Sequence, residues 1–172
     1  MVYDIPLLLT KHKACINDIA NHFSDFFKNI DYSKGNKKKI KTHTLKSSND
    51  LDSVLSGPGF YLIATDVQTQ INPCTLTIGA NLKVVYRGHS YNVRERIESH
   101  LFYNSYLVKN AGRKFTVCMK LDRNNINIDK FPYNENQWVV VTHSMPKSTI
   151  LIREAAEVAF DGVFEKPVGS YK

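Results

Sequence analysis

Two apolar runs constrain the centre of any fold this chain can adopt. Residues 59–65 (GFYLIAT) and 82–88 (LKVVYRG) are short, rich in aromatic and β-branched side chains, and bounded by Gly, Pro and Asn, which favours strands over helices. Two such strands should pair, and a sheet built on them needs helices to cover it. The sequence supplies three candidates. Between residues 15 and 30, Ile16, Ile19, Ala20, Phe23, Phe26, Phe27 and Ile30 recur at three- and four-residue steps, the period of an amphipathic helix. Asn92 can cap a second helix reaching about residue 103, with Val93, Ile97 and Leu101 facing the core and Arg96 and His100 sharing another face. Ser148 or Thr149 can cap a third through about residue 164, in which Ile152, Ala155, Ala156, Ala159 and Val163 form the buried stripe. Arg153 and Glu157 lie beside that stripe, four apart and able to pair.

Residues 114–121 and 138–142 read as further strands separated by an Asn-rich loop, and residues 74–78 as a short strand within an inserted hairpin arm at 67–81. The expected fold is mixed α/β (α+β): a small, mainly antiparallel sheet of three to five strands flanked by helices, with the N-terminal helix as an added layer. At 172 residues the chain should form a single domain, with residues 1–56 as helix and basic arm and residues 57–172 as the core.

Charge points to a partner. The chain holds 23 Lys and Arg against 16 Asp and Glu, a net +7, which favours a polyanion. Residues 34–46 (KGNKKKIKTHTLK) carry six lysines and no acid and read as a flexible basic arm. Lys37, Lys38, Lys39 and Lys41, with Arg87 and Arg94, are the expected phosphate contacts. Cys15, Cys74 and Cys118 are odd in number and far apart, which fits neither a disulfide framework nor a zinc site and points to free thiols in a reducing compartment. The apolar run at residues 5–9 is too short for a membrane span or a signal-peptide core, so a soluble, cytoplasmic protein without a membrane partner is expected.

The segment VVYRGHSYNVRERIESHLF at residues 84–102, preceded by PGFYLI at 58–63 and followed by the helix at 149–164, resembles the GIY-YIG nucleases. Gly59-Phe60-Tyr61 stands for the first motif of that family and Tyr86-Arg87-Gly88 for the second. Ser90, Asn92 and Val93 fit its polar turn, Arg96 and His100 its helical pair, and Glu157 ahead of Pro167 its metal-binding carboxylate, with Glu154 as the alternative. The chain departs from the family in three places. Arg87 replaces an apolar residue, which would turn one strand position to phosphate or solvent. The stretch from Tyr61 to Tyr86 is long, and the Asn expected after the Pro is missing, with Gly169 and Ser170 in its neighbourhood.

The resemblance implies metal-dependent cleavage of DNA, double-stranded in the first instance, leaving 5′-phosphate and 3′-hydroxyl ends. Its compact plan is closest to restriction or mobile-element nucleases. The chemistry is coherent on its own terms. Hydrolysis needs an activated water and neutralisation of charge on the phosphoryl oxygens. A lone carboxylate, Glu157, suits Mg²⁺ or Mn²⁺, and Arg96 offers two coplanar donors to a phosphate oxygen. Tyr61, with its pKa pulled down by a nearby cation and the metal, is the expected general base, with Tyr86 and His100 orienting water, phosphate or Tyr61 through hydrogen bonds. His89 and His143 lack metal-ligand spacing and are expected as surface or phosphate contacts. Two alternatives stay open: a nucleic-acid-binding module on a degenerate nuclease fold, and an RNase or nuclease toxin on the same core. The sequence leaves the oligomeric state open, a dimer included.

Overall fold

The computed structural model describes residues 3–34, 38–69, 71–112 and 119–170, apart from the side chain of Ser105. Five antiparallel strands form one sheet: β1 (Ile40–Leu45), β2 (Gly59–Thr65), β3 (Thr77–Ile78), β4 (Leu82–Ser90) and β7 (Trp138–Ser144), in the order β1-β7-β2-β4-β3. A separate two-stranded ribbon pairs β5 (Lys120–Leu121) with β6 (Asn124–Asn125). The α-helices are α1 (Ile5–Asn29), α2 (Val93–Leu101), α3 (Tyr103–Lys109) and α4 (Ile150–Phe164). The expected mixed α/β class, antiparallel sheet and added N-terminal helix are all present.

β2 is buried at all seven positions because it lies between β7 and β4 with helices on both sides, which is why GFYLIAT is apolar almost throughout. On one face Tyr61, Ile63, Val85 and Val140 pack with Val93, Ile97 and Leu101 of α2 and with Trp138. On the other, Phe60, Leu62, Val84 and Val141 meet Ala155, Ala156, Ala159 and Phe160 of α4 and Phe27 of α1. The small alanines let α4 approach closely, and Phe27 fixes α1 through ring contacts with Phe60, Phe160 and Phe164.

The capping expectations hold. Asn92 accepts from the Glu95 N–H at the start of α2, and Thr149 accepts from the Ile152 N–H at the start of α4. Helix α1 begins earlier than its apolar period requires, capped by Asp4, and Ile5, Leu7, Leu8 and Leu9 in its first turns are exposed. The second helix breaks at Phe102, whose backbone bridges to Asn127, before α3 resumes.

Several expectations need correction. Residues 40–45 are not part of a free arm: they form edge strand β1, anchored by Leu45 and His43. The insert at 67–81 is not a projecting arm either. Cys74 and Ile78 are buried, and the Asn72 side chain donates to the Val84 carbonyl and accepts from Val168 N–H, holding the segment against β4. His143 is not at the surface. It alternates onto the α1 side of a central strand, is buried, and hydrogen-bonds the Tyr32 hydroxyl at 3.1 Å. The strand expected over 114–121 falls largely outside the described residues, as do Lys37 and Cys118, and its last two positions are β5. No helix among the described residues is long and apolar enough to cross a membrane.

Candidate active site

The site begins with two adjacent strands and a glycine. In the β2–β4 register Tyr61 lies opposite Gly88 and Ile63 opposite Tyr86, with a bulge just beyond that leaves Val85 unmatched. Tyr61 and Tyr86 therefore lie on one face and stack with centroids 6.0 Å apart. Their rings lean over Gly88: a Cβ there would sit 2.7 Å from Tyr61 Oη and 2.8 Å from Tyr86 Cε1. The glycine of the second motif is thus required by the two tyrosines themselves.

α2 brings His100 to the same point. The Met119 N–H donates to His100 Nδ1 at 2.8 Å, so in the neutral ring Nε2 carries the hydrogen and donates to Tyr61 Oη at 2.9 Å. Burial, and then the positive charge of Arg96, hold the His100 pKa well below the usual histidine value, which keeps the ring neutral. Tyr61 accepts from His100, and the Tyr86 ring packs against both, 6.0 Å from the Tyr61 ring and 4.4 Å from the imidazole. The Tyr61 pKa is pushed well above the usual phenol value, chiefly by burial, with Tyr86 adding to the rise and Arg96 opposing it. Tyr61 has no solvent exposure, whereas Tyr86 is half-buried and is the more exposed of the two rings. Burial raises the Tyr86 pKa as well, Arg96 draws it back down, and Glu157 raises it. Arg96 is half-buried, one helical turn before His100, and its charge bears on Tyr61, Tyr86 and His100 together.

Glu157 arrives from the opposite side of the sheet, past the part of β4 that β3 leaves unpaired. It does not pair with Arg153. Its Oε2 accepts from Arg87 Nη1 at 2.9 Å, and its Oε1 lies 3.1 Å from His89 Nδ1 without the alignment of a hydrogen bond. Arg87 also grips Asp161 with two bonds, at 2.9 and 2.6 Å. So Arg87, expected to face phosphate or solvent, instead neutralises part of an acidic pair, and His89 lies against Glu157. The pair with Arg87 keeps one net negative charge, and Oε1 has no aligned donor among the described residues. Among the described residues no group of three ligating side chains exists, so any cation here would rely on one carboxylate, water and substrate.

The basic residues divide by role. Arg94, expected as a phosphate contact, donates to the Val54 carbonyl and, at 2.7 Å, to the Asp52 carbonyl, closing the 3₁₀ turn at Ser48–Ser53. Lys38, Lys39 and Lys41 are exposed and line a cleft of ≈ 180 Å³ with Ser53, Leu55, Thr142 and Ser144. Lys41 pairs in register with Thr142, which pairs with Tyr61, which pairs with Gly88. One row across the sheet thus runs from the lysine cleft to the tyrosines, about 10 Å in two strand spacings.

Two features lay outside the reach of sequence reasoning. Ser170, near where the family places an Asn, accepts from the Arg87 N–H at 2.9 Å and donates to the Arg87 carbonyl at 3.2 Å, capping the open edge of β4 beside the site. Gly169 permits that approach, since a Cβ there would meet the Val85 carbonyl at 2.8 Å. The other is Arg153, fully buried beneath Tyr91. No protein-family model matches the chain, and no curated protein or solved structure matches it either.

Proposed function

We propose that the chain is a metal-dependent endonuclease of the GIY-YIG type that hydrolyses phosphodiester bonds in DNA, a compact enzyme on the restriction or mobile-element plan, leaving 5′-phosphate and 3′-hydroxyl ends. The observation that carries this reading is the cluster of His100, Tyr61 and Tyr86 over Gly88, in which His100 donates to Tyr61 and the Tyr86 ring packs against both, beside Arg96 and within electrostatic reach of Glu157.

In this reading the base is Tyr86 and not Tyr61. Tyr61 is sealed from water and already accepts from His100, so its part is to hold the Tyr86 ring in place by stacking against it. Tyr86, the more exposed of the two, takes the proton of the attacking water, and the Arg96 charge favours the phenolate that results. Arg96 presents a planar pair of donors to a non-bridging oxygen as negative charge grows on it. Glu157 Oε1 fits a hard cation such as Mg²⁺ or Mn²⁺, which when bound supplies charge neutralisation on the phosphate oxygens. The lysine cleft guides the DNA backbone toward the tyrosines.

A second reading, a DNA-binding module without activity, is favoured by one observation: Arg87 already occupies Glu157 Oε2 and both oxygens of Asp161, so part of the acidic charge a metal would meet is neutralised. Single-turnover cleavage between pH 6.5 and 9 separates the two. Because the Tyr86 pKa lies above the usual phenol value, little phenolate exists near neutrality, and the rate of an enzyme using it should climb about tenfold per pH unit. Tyr86→Phe should slow the step by about 10² or more and flatten that slope, while Tyr61→Phe should be milder and keep it. Tyr86→Phe cutting at the wild-type rate would exclude this base, and tight duplex binding with no cleavage at any pH would favour the module.

A further inference from the structure

Arg153 is out of place by ordinary packing logic. Its side chain is wholly buried in the first turn of α4, Nη1 donates to the Ser148 carbonyl at 2.7 Å and to Ser148 Oγ at 2.9 Å, and Nε and Nη2 have no hydrogen-bond partner among the described residues. A buried guanidinium with unmatched donors is less stable than an apolar side chain of the same volume, so filling space does not explain it. What covers it is the Tyr91 ring, centred 3.9 Å from Arg153 Cζ. Tyr91 is itself 65% exposed. One face of the ring rests on the cation and the other is open to solvent.

The ring's position relative to the site follows from two matched repeats. Arg153, Glu157 and Asp161 recur every four residues on α4, and Arg87, His89 and Tyr91 recur every two along β4 and its exit. Four helical residues rise about 6 Å and two strand residues about 6.6 Å, so the two series stay in step. The contacts follow that ladder: Asp161 with Arg87, Glu157 with Arg87 and His89, and Arg153 with Tyr91. Tyr91 therefore stands one rung beyond Glu157, on the order of 6–7 Å, comparable with one nucleotide step of an extended strand.

We propose that Tyr91, backed by Arg153, is a stacking platform for an unpaired base one nucleotide from the phosphate addressed by Glu157 and Arg96. The preferred substrate is then DNA interrupted by an unpaired nucleotide, not an unbroken duplex. The inference rests on the nuclease reading and narrows it. A flat ring open on one face accepts any base, because every base has a π-face, and the cation behind it holds the ring in place while adding positive potential for the strand.

Two duplexes with the same sequence test this, one carrying a single bulged 2-aminopurine and the other pairing it, bound to the wild-type protein in chelator so that nothing is cut. The bulged duplex should bind about tenfold more tightly, with quenching of the 2-aminopurine. Tyr91→Phe should keep that preference. Tyr91→Ala should lose it without changing affinity for the paired duplex, and Tyr91→Leu, which covers Arg153 but has no ring, should lose it as well, guarding against a folding defect in the alanine variant. Equal affinity of the wild type for both duplexes, or a preference that survives Tyr91→Leu, overturns the platform while leaving the nuclease reading intact. A preference that behaves as expected in a protein that cuts neither duplex with Mg²⁺ restored sinks the nuclease reading and keeps the platform. Binding to neither duplex overturns both.

Discussion

Gly88→Ala isolates the geometry on which the proposed chemistry depends. The substitution adds one methyl group, leaves every polar group in place, and lies at a backbone conformation that alanine can adopt. The new Cβ would meet Tyr61 Oη at 2.7 Å, Tyr86 Cε1 at 2.8 Å and Tyr61 Cζ at 2.9 Å, where ordinary contact begins near 3.4 Å, so both rings must retreat by about 0.6–0.7 Å. Neither can do so freely, since Tyr61 is fully buried and bonded to His100. Overpacking of this kind costs about 1–3 kcal/mol. At about 2 kcal/mol, a domain of this size should melt about 4–8 °C lower. Misplacing reacting groups by such a distance costs on the order of 10²-fold in rate. Differential scanning calorimetry and single-turnover cleavage read the two effects on one preparation. Gly162→Ala, in α4 with nothing within 4 Å of its Cβ, is the control and should keep wild-type cleavage with a slightly higher melting point. A Gly88→Ala protein that melts and cuts like the wild type would mean that the rings do not lie over Gly88 in solution.

Arg96→Ala should lose about 10² or more in the single-turnover rate and Arg96→Lys should recover only part of it, because an ammonium lacks the planar pair of donors; equal rates for all three proteins would remove Arg96 from the chemistry. Replacing Lys38, Lys39 and Lys41 together by Ala should flatten the salt dependence of duplex binding by about 0.9 per lost phosphate contact, and an unchanged slope would make the cleft a solvated surface. Acid should destabilise the fold early. Burial lowers the His143 pKa to about 3 and holds that of His100 well below its usual value, so below about pH 6.5 the unfolded chain takes up protons that the folded chain refuses. These groups leave stability unaffected well above pH 6.5; between pH 6.5 and 5 His143 alone should lower it by about 1.5 kcal/mol, and His100 should add to the fall in the same direction. Urea unfolding at those two pH values measures this, and coincident midpoints would show that neither ring is buried neutral.

The parts of the fold legible in the sequence were those with a local cause. The β2 run, the Asn92 and Thr149 caps and the Ala155, Ala156, Ala159 face each follow from periodicity or capping within a few residues. Strand β1 was hidden because its period-two pattern, Ile40, Thr42 and Thr44 against Lys41, His43 and Leu45, sits inside a lysine-rich stretch whose charge suggests a solvated arm. His143 was misplaced for a related reason: on a strand covered on both faces, alternation no longer separates inside from outside. At the site, residue types and order carried Tyr61, Tyr86, Arg96, His100 and Glu157 to one neighbourhood, but not the difference in exposure between the two tyrosines, since burial is a property of packing. The ion pairs of Arg87 with Glu157 and Asp161, the Ser170 clasp and the Tyr91–Arg153 stack join residues far apart in the chain, and no local pattern announces such partners.

The most direct test of the central claim is incubation of the purified protein with supercoiled plasmid and Mg²⁺, in parallel with chelator and with Glu157→Gln. The proposed enzyme should convert the plasmid to nicked and linear forms only in the wild type with metal present, and the products should be religated by ligase without end repair, as 5′-phosphate and 3′-hydroxyl ends require. Cleavage by Glu157→Gln at the wild-type rate, cleavage that persists in chelator, or plasmid left intact at saturating protein and metal would contradict it.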